Sequence, residues 1–197
     1  MHDLTRLYAA ELCRRHDDGP PRQQALDRLV EHYRTTTDAA DDHLRALPGQ
    51  PVPDRFPNAT AALAWLDAER PNLTATITLA TTSRPQTVIS LALCLAVYLL
   101  QRRHFHDALT VAEHAVVAAR ALDDRHGEGQ ALNNLGLALR EVRRFEEAID
   151  AHNQAADIFR ALDDHHREDA ALNNLGVAQD GMRRSFGLRA LWRRLKR

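Results

Sequence analysis

The chain has 197 residues, 44% of them hydrophobic but only 5% aromatic, and a net charge of −1. That length suffices for a core of its own, and a core so poor in aromatics is built from Ala and Leu, as in stacked helices. Near-neutral charge excludes a strong overall field for nucleic acid, and the apolar runs are too short to span a bilayer.

Residues 1–15 place Leu4, Leu7, Tyr8 and Leu12 on one helical face, with Asp3 positioned to cap its start. This opening lacks the charged-then-apolar build of a secretion leader, so the cytoplasm is the expected location. Residues 21–46 predict a second amphipathic helix through Leu26, Leu29, Val30, Tyr33 and Ala40. Four prolines in 47–57 (LPGQPVPDRFP) predict an extended surface loop. Residues 58–84 predict linking helices divided at Pro71, because proline is tolerated at a helix's first position. The two cysteines, Cys13 and Cys94, are far apart in the chain, and Cys94 falls in an apolar segment that predicts a reduced, buried thiol.

From residue 85 the chain repeats itself. Residues 121–144 (ALDDRHGEGQALNNLGLALREVRR) and 161–184 (ALDDHHREDAALNNLGVAQDGMRR) agree at 15 of 24 positions with an offset of 40. Self-similarity at such a period marks an array of stacked units. In the complete copy Leu132, Leu135, Leu139 and Val142 share one helical face. After Arg143-Arg144 a second periodic run follows, with Phe145, Ala148, Ile149, Ala155, Phe159 and Leu162. The short break predicts an antiparallel hairpin of two helices, each about 25 Å long. Gly136 sits mid-helix, where glycine costs about 1 kcal/mol relative to Ala, and predicts a close approach of the partner helix at Ala148. A weaker copy begins at 85, and its first helix (SLALCLAVYLLQRR) is apolar nearly all round, the pattern of a helix buried on both sides. The predicted units are 85–122, 123–162 and an incomplete 163–182. Residues 183–197 form a tail with seven basic residues and no acid, in which Leu188, Leu191, Trp192 and Leu195 share a face. It either caps the array, the preferred reading, or lies on an anionic membrane or nucleic acid.

The repeat resembles the tetratricopeptide repeat through Leu132, Leu135-Gly136, Phe145, Ala148 and Ala155. Its period of 40 departs from that family's usual 34 and is similar to its longer-helix variants. The resemblance implies an all-α, right-handed superhelix of helical hairpins, preceded here by a small helical region. Met1-His2-Asp3 resembles the motif that closes the nucleotide module of STAND-class (NB-ARC) regulators, which implies that residues 1–46 are the helical end of such a module and that His2 is a vestige of its nucleotide site. Residues 61–73 (AALAWLDAERPNL) resemble the segment joining that module to the repeats in bacterial regulators of the antibiotic-regulatory-protein type. No GxxxxGK[ST] loop occurs in the sequence, so the ATPase and DNA-binding portions of that family are not represented.

Eleven histidines raise a metal hypothesis, but none stands in a H-E-x-x-H or C-x-x-C spacing, so no metal is expected. The Asp123-Asp124 and Asp163-Asp164 pairs read as helix caps. No nucleophile-and-base grouping is suggested, so no enzyme and no cofactor are expected. In this repeat family the first helices line the concave surface, which implies that Asn133, Asn134, Asn173 and Asn174 face a groove. An amide offers both donor and acceptor to an extended peptide backbone, and Leu137, Arg140 and Glu141 lie one or two turns further on. The expected function is a protein- or peptide-binding module, the sensor or scaffold part of a transcriptional regulator. The alternative is a truncated or split subunit acting with a separate STAND ATPase or DNA-binding partner. Nucleic acid or membrane binding through the tail is disfavoured. Without a phosphate cradle of backbone N–H groups, the isolated chain is expected to show no ADP affinity; micromolar binding in calorimetry would refute this.

Overall fold

The computed structural model describes residues 19–195 and, of their side chains, all but residue 21 and 186–195. His2, Cys13, the Leu4–Leu12 face and the apolar stripe of the tail lie outside this set. The described residues form seven helices and no strand: α1 (Gly19–Arg45), α2 (Ala59–Ala80), α3 (Pro85–Gln101), α4 (Phe105–Ala121), α5 (Arg125–Glu141), α6 (Phe145–Ala161) and α7 (His165–Leu195). They make an all-α solenoid of helical hairpins.

The four helices α3 to α6 are each 17 residues long, and from α3 to α7 a helix begins every 20 residues. The repeat of 40 is thus two equal helix-plus-turn units. Every connection from α3 to α7 is three residues with the same geometry. Its middle residue is left-handed: Arg103 at φ 60°, Asp123 at 53°, Arg143 at 65° and Asp163 at 56°. The N–H groups of His104, Asp124, Arg144 and Asp164 reach back five residues at 2.8–3.0 Å, and those of the residues before them reach back three at 3.0–3.3 Å. This is a Schellman closure, which satisfies the last carbonyls of a helix and reverses the chain.

Hairpin turns and repeat junctions differ in their side chains. At the junctions the first aspartate of each pair takes the left-handed position and the second caps the next helix. Asp124 accepts from the Gly127 N–H at 2.8 Å and Asp164 from the Arg167 N–H at 3.1 Å. The buried Glu128 then accepts from Arg120 at 2.7 Å and pairs with Arg125, and Arg160 and Glu168 repeat the former contact at 2.7 Å.

The core runs without a break from Tyr33 in α1 to Ala171 in α7. Within it α3 buries Val88, Ile89, Leu91, Ala92, Leu95, Tyr98 and Leu99, which is why its sequence is apolar nearly all round. Cys94 is a free thiol, partly rather than fully covered; burial first and the nearby Asp41 second push it up to about 12, which leaves it inert at neutral pH. The helix α2 corrects the expected division at Pro71: it continues through the proline from Ala59 to Ala80. One lost backbone bond is outweighed because both sides of Pro71 are packed, with Leu66, Leu73 and Ile77 all buried. Leu29 is another departure from expectation, exposed rather than on the core face.

One turn of α2 fastens three neighbours. Asp67 accepts from the Tyr98 hydroxyl of α3 at 2.9 Å and pairs with Arg102 in the turn that follows α3. Glu69 accepts from the Tyr33 hydroxyl of α1 at 2.8 Å. Arg70 pairs with Asp107 of α4. The proline-rich loop is also tied down, since Phe56 packs on Trp65 and His43, whose Nε2 donates to the Pro53 carbonyl at 2.9 Å.

A left-handed non-glycine residue costs about 1–2 kcal/mol, part of which glycine returns through its freedom in the unfolded chain. Arg143 is exposed, so Arg143→Gly is expected to raise stability by about 0.5–1 kcal/mol in denaturant titration.

Candidate functional site

The helices α3, α5 and α7 alternate with α4 and α6 and line a solvent-open cleft of about 300 Å³. Its apolar side is Leu93, Ala96 and Val97 of α3, with Phe159 reaching in from α6. Its polar side is Gln130, Asn133 and Asn134 of α5 and Arg167 of α7, with Arg45 of α1 at one end. Both arginines are partly engaged: Arg45 donates to Asp41 at 2.6 Å, and Arg167 to Asp164 at 2.8 Å. With its amide oxygen turned to Arg167, Gln130 accepts from the guanidinium at 3.1 and 3.2 Å.

The four asparagines are not equivalent. Asn133 and Asn134 both border the cleft and are half-buried. The Asn133 side-chain oxygen accepts from His152 Nδ1 at 3.0 Å and from the Asn174 amide at 3.1 Å. Asn133 and Asn174 therefore join α5, α6 and α7. Asn173 is exposed and does not border the cleft. Leu137 is half-buried, and Arg140 pairs with Glu141 at 2.9 Å. Leu137, Arg140 and Glu141 lie further along α5 and do not line the cleft.

Sequence reasoning missed the residue behind Asn133. His152 is fully buried, and its ring lies against Gly136, where an added Cβ would stand 2.6 Å from it. This corrects the reading of Gly136, which makes room for an imidazole and not for Ala148. Since Asn133 offers an oxygen, Nδ1 carries the proton, and Nε2 is left buried without a partner. Charging the ring would place a second N–H in that dry space. Burial first and the charge of Arg140 second hold the His152 pKa down to about 4. The available signal was the pairing of two oddities, a mid-helix glycine and a histidine among the alanines of the next helix.

Among the described residues no three His, Cys, Asp or Glu side chains gather as a metal site would require, and no helix is long and apolar enough to cross a membrane. The cleft sets amide donors and acceptors beside apolar side chains.

Comparison with known proteins agrees with this architecture. A tetratricopeptide repeat family model matches residues 87–161 and 130–185, together half of the chain. The chain is similar to the regulatory protein AfsR of Streptomyces griseus, with 32% identity over 143 residues, 66% of this chain. The chain spans 14% of that protein's length. No solved structure gives a significant match.

Two measurements check the His152 pocket. Above pH 6.5 the histidine is neutral whether the chain is folded or not, and contributes no pH dependence. Below that, the unfolded chain gains a proton that the folded chain refuses until about pH 4. Stability is therefore expected to fall between these limits, by up to about 3 kcal/mol, and His152→Gln should flatten this part of the profile. Gly136→Ala, which forces a methyl into the ring, should cost about 1–3 kcal/mol at neutral pH.

Proposed function

The chain belongs to the tetratricopeptide repeat family, and from that premise we propose that it is a protein-interaction module whose α3–α5–α7 cleft captures an extended peptide segment of a partner. The observation that carries this is the composition of the cleft. An apolar wall of Leu93, Ala96 and Val97 faces a row of amides and guanidinium groups. An extended segment needs both, apolar contact for alternate side chains and donors and acceptors for its backbone. Asn134 and Gln130 make the backbone contacts, and Leu137, Arg140 and Glu141 extend the surface along α5. Asn133 and Asn174 keep the helices in register while Asn133 presents its remaining edge to the cleft, and Asn173 meets residues of the partner outside it.

The similarity to AfsR supports a finer reading, in which this module is the sensor or scaffold part of a transcriptional regulator in the cytoplasm. The alternative is a split subunit that works with a separate STAND ATPase or DNA-binding protein. A pull-down with the whole chain distinguishes them by what is captured: a P-loop ATPase supports the split subunit, another protein the independent module.

With a captured partner in hand, changing Gln130 and Asn134 together to Ala should weaken binding by about fivefold or more, from about 0.5–1.5 kcal/mol for each hydrogen bond lost. Helical content should be unchanged, because neither side chain joins the His152 network. A variant that folds and binds as before would remove the cleft from consideration.

A further inference from the structure

Among the described residues, α7 packs on α5 and α6 from one side and carries no helix on the other. A face that the repeat covers on α5 is therefore open here. Leu132 of α5 is 3% exposed; 40 residues on, Leu172 of α7 is 39% exposed, and Val177 51%. The glycines repeat the contrast. A Cβ at Gly136 would stand 2.6 Å from the His152 ring, whereas one at Gly176 would meet nothing within 4 Å. A mid-helix glycine costs about 1 kcal/mol relative to Ala. At Gly136 the close ring offsets that cost; at Gly176 nothing in the single chain does.

The charges on this face are placed symmetrically about Gly176. Asp169 lies seven residues before it and Arg183 seven after, two helical turns each way, so the three share one stripe. Both charged side chains are exposed. Arg183 meets Asp180 at 3.3 Å, an exposed pair one turn apart of the kind that contributes little. An antiparallel helix crossing the stripe at Gly176 needs a base opposite Asp169 and an acid opposite Arg183. A second α7 supplies both, because a two-fold axis at Gly176 sets each Asp169 opposite the partner's Arg183. With glycine at the crossing the two backbones can come close, and Leu172 and Val177, on its two sides, lose their exposure. A parallel pairing in register would instead set like charges against each other.

We propose that the open face of α7 is an interface between two copies of this chain, their α7 helices antiparallel and crossing at Gly176. Arg167 and Ala170 of α7, which border the cleft, lie off this stripe, so pairing leaves the cleft open. Asn173 lies within the face, so a second copy and a partner segment reaching Asn173 exclude one another. A single crossing of two helices falls short of the ~800 Å² per partner of a standard interface, so the pair is weak, formed at about 100 µM and lost on dilution.

Sedimentation equilibrium of the full chain tests this, with a monomer–dimer equilibrium expected. Asp169→Arg and Arg183→Asp each set like charges against each other at both ends of the crossing, and each alone should weaken pairing tenfold or more. Mixed in equal amounts the two variants should pair again, because every contact in the mixed dimer then joins opposite charges. A merely structural role for either residue predicts no such rescue. A chain that stays monomeric throughout overturns the proposal and gives the face to another occupant. So does a dimer that either charge reversal leaves at full strength, or a mixture that stays monomeric. Circular dichroism checks that helical content is kept. If a charge variant loses helix, Gly176→Gln decides instead: it adds a side chain where the single chain has open space, and a dimer that survives it at full strength overturns the proposal.

Discussion

The architecture rests on a chain reversal that recurs every 20 residues and is made without glycine. Each turn needs one residue in the left-handed region, and the chain supplies Arg103, Asp123, Arg143 and Asp163. Their strain persists because each turn closes two hydrogen bonds to carbonyls that would otherwise be unpaired. Uniform turns give uniform spacing, and uniform spacing lets Ala108, Ala115, Ala148 and Ala155 stand at equivalent close contacts. The cleft follows from this, because only alternate helices share a side.

The join between the array and the preceding helices depends on a different device. Asp67, Glu69 and Arg70 lie within four residues of one helix and point to three different neighbours. Partly exposed ion pairs contribute little each. Their value here is directional, since together they define how α2 lies against α1, α3 and α4. Tyr33 and Tyr98 add hydroxyls that need carboxylate partners once their rings are buried. The register of the cleft's Arg45 end relative to α3 is held by the same contacts.

The hairpins could be read from the sequence because apolar residues at spacings of three and four define helix faces, and two aligned copies define the unit. Of the junction aspartates read as caps, Asp124 and Asp164 are caps, while Asp123 and Asp163 take the left-handed position of the turn instead. What escaped the sequence depends on which face meets which. Pro71 looks like a boundary in isolation, yet packing on both sides carries the helix across it. Gly136 announces a close approach without saying of what, and the answer, His152, lies a full helix away. Asn133 looks like a free amide until His152 and Asn174 both claim its oxygen, whereas Asn134, one residue on, keeps its edge towards the cleft. No spacing rule separates those two asparagines; only the rotation of α5 against α6 does.

The equal length of hairpin turns and junction turns makes parity a property of the array. With unequal turns the hairpin would be the natural unit, and an array would always end on the same kind of helix. Here each of α3 to α6 is followed by the same reversal, so stopping after an odd or an even number of helices is equally permitted by the turns. The two choices leave chemically different end faces: an even count ends on an alanine-rich second helix, an odd count on a first helix whose glycine slot stands open. An insertion or loss of 20 residues would thus preserve every turn while exchanging one terminal surface for the other.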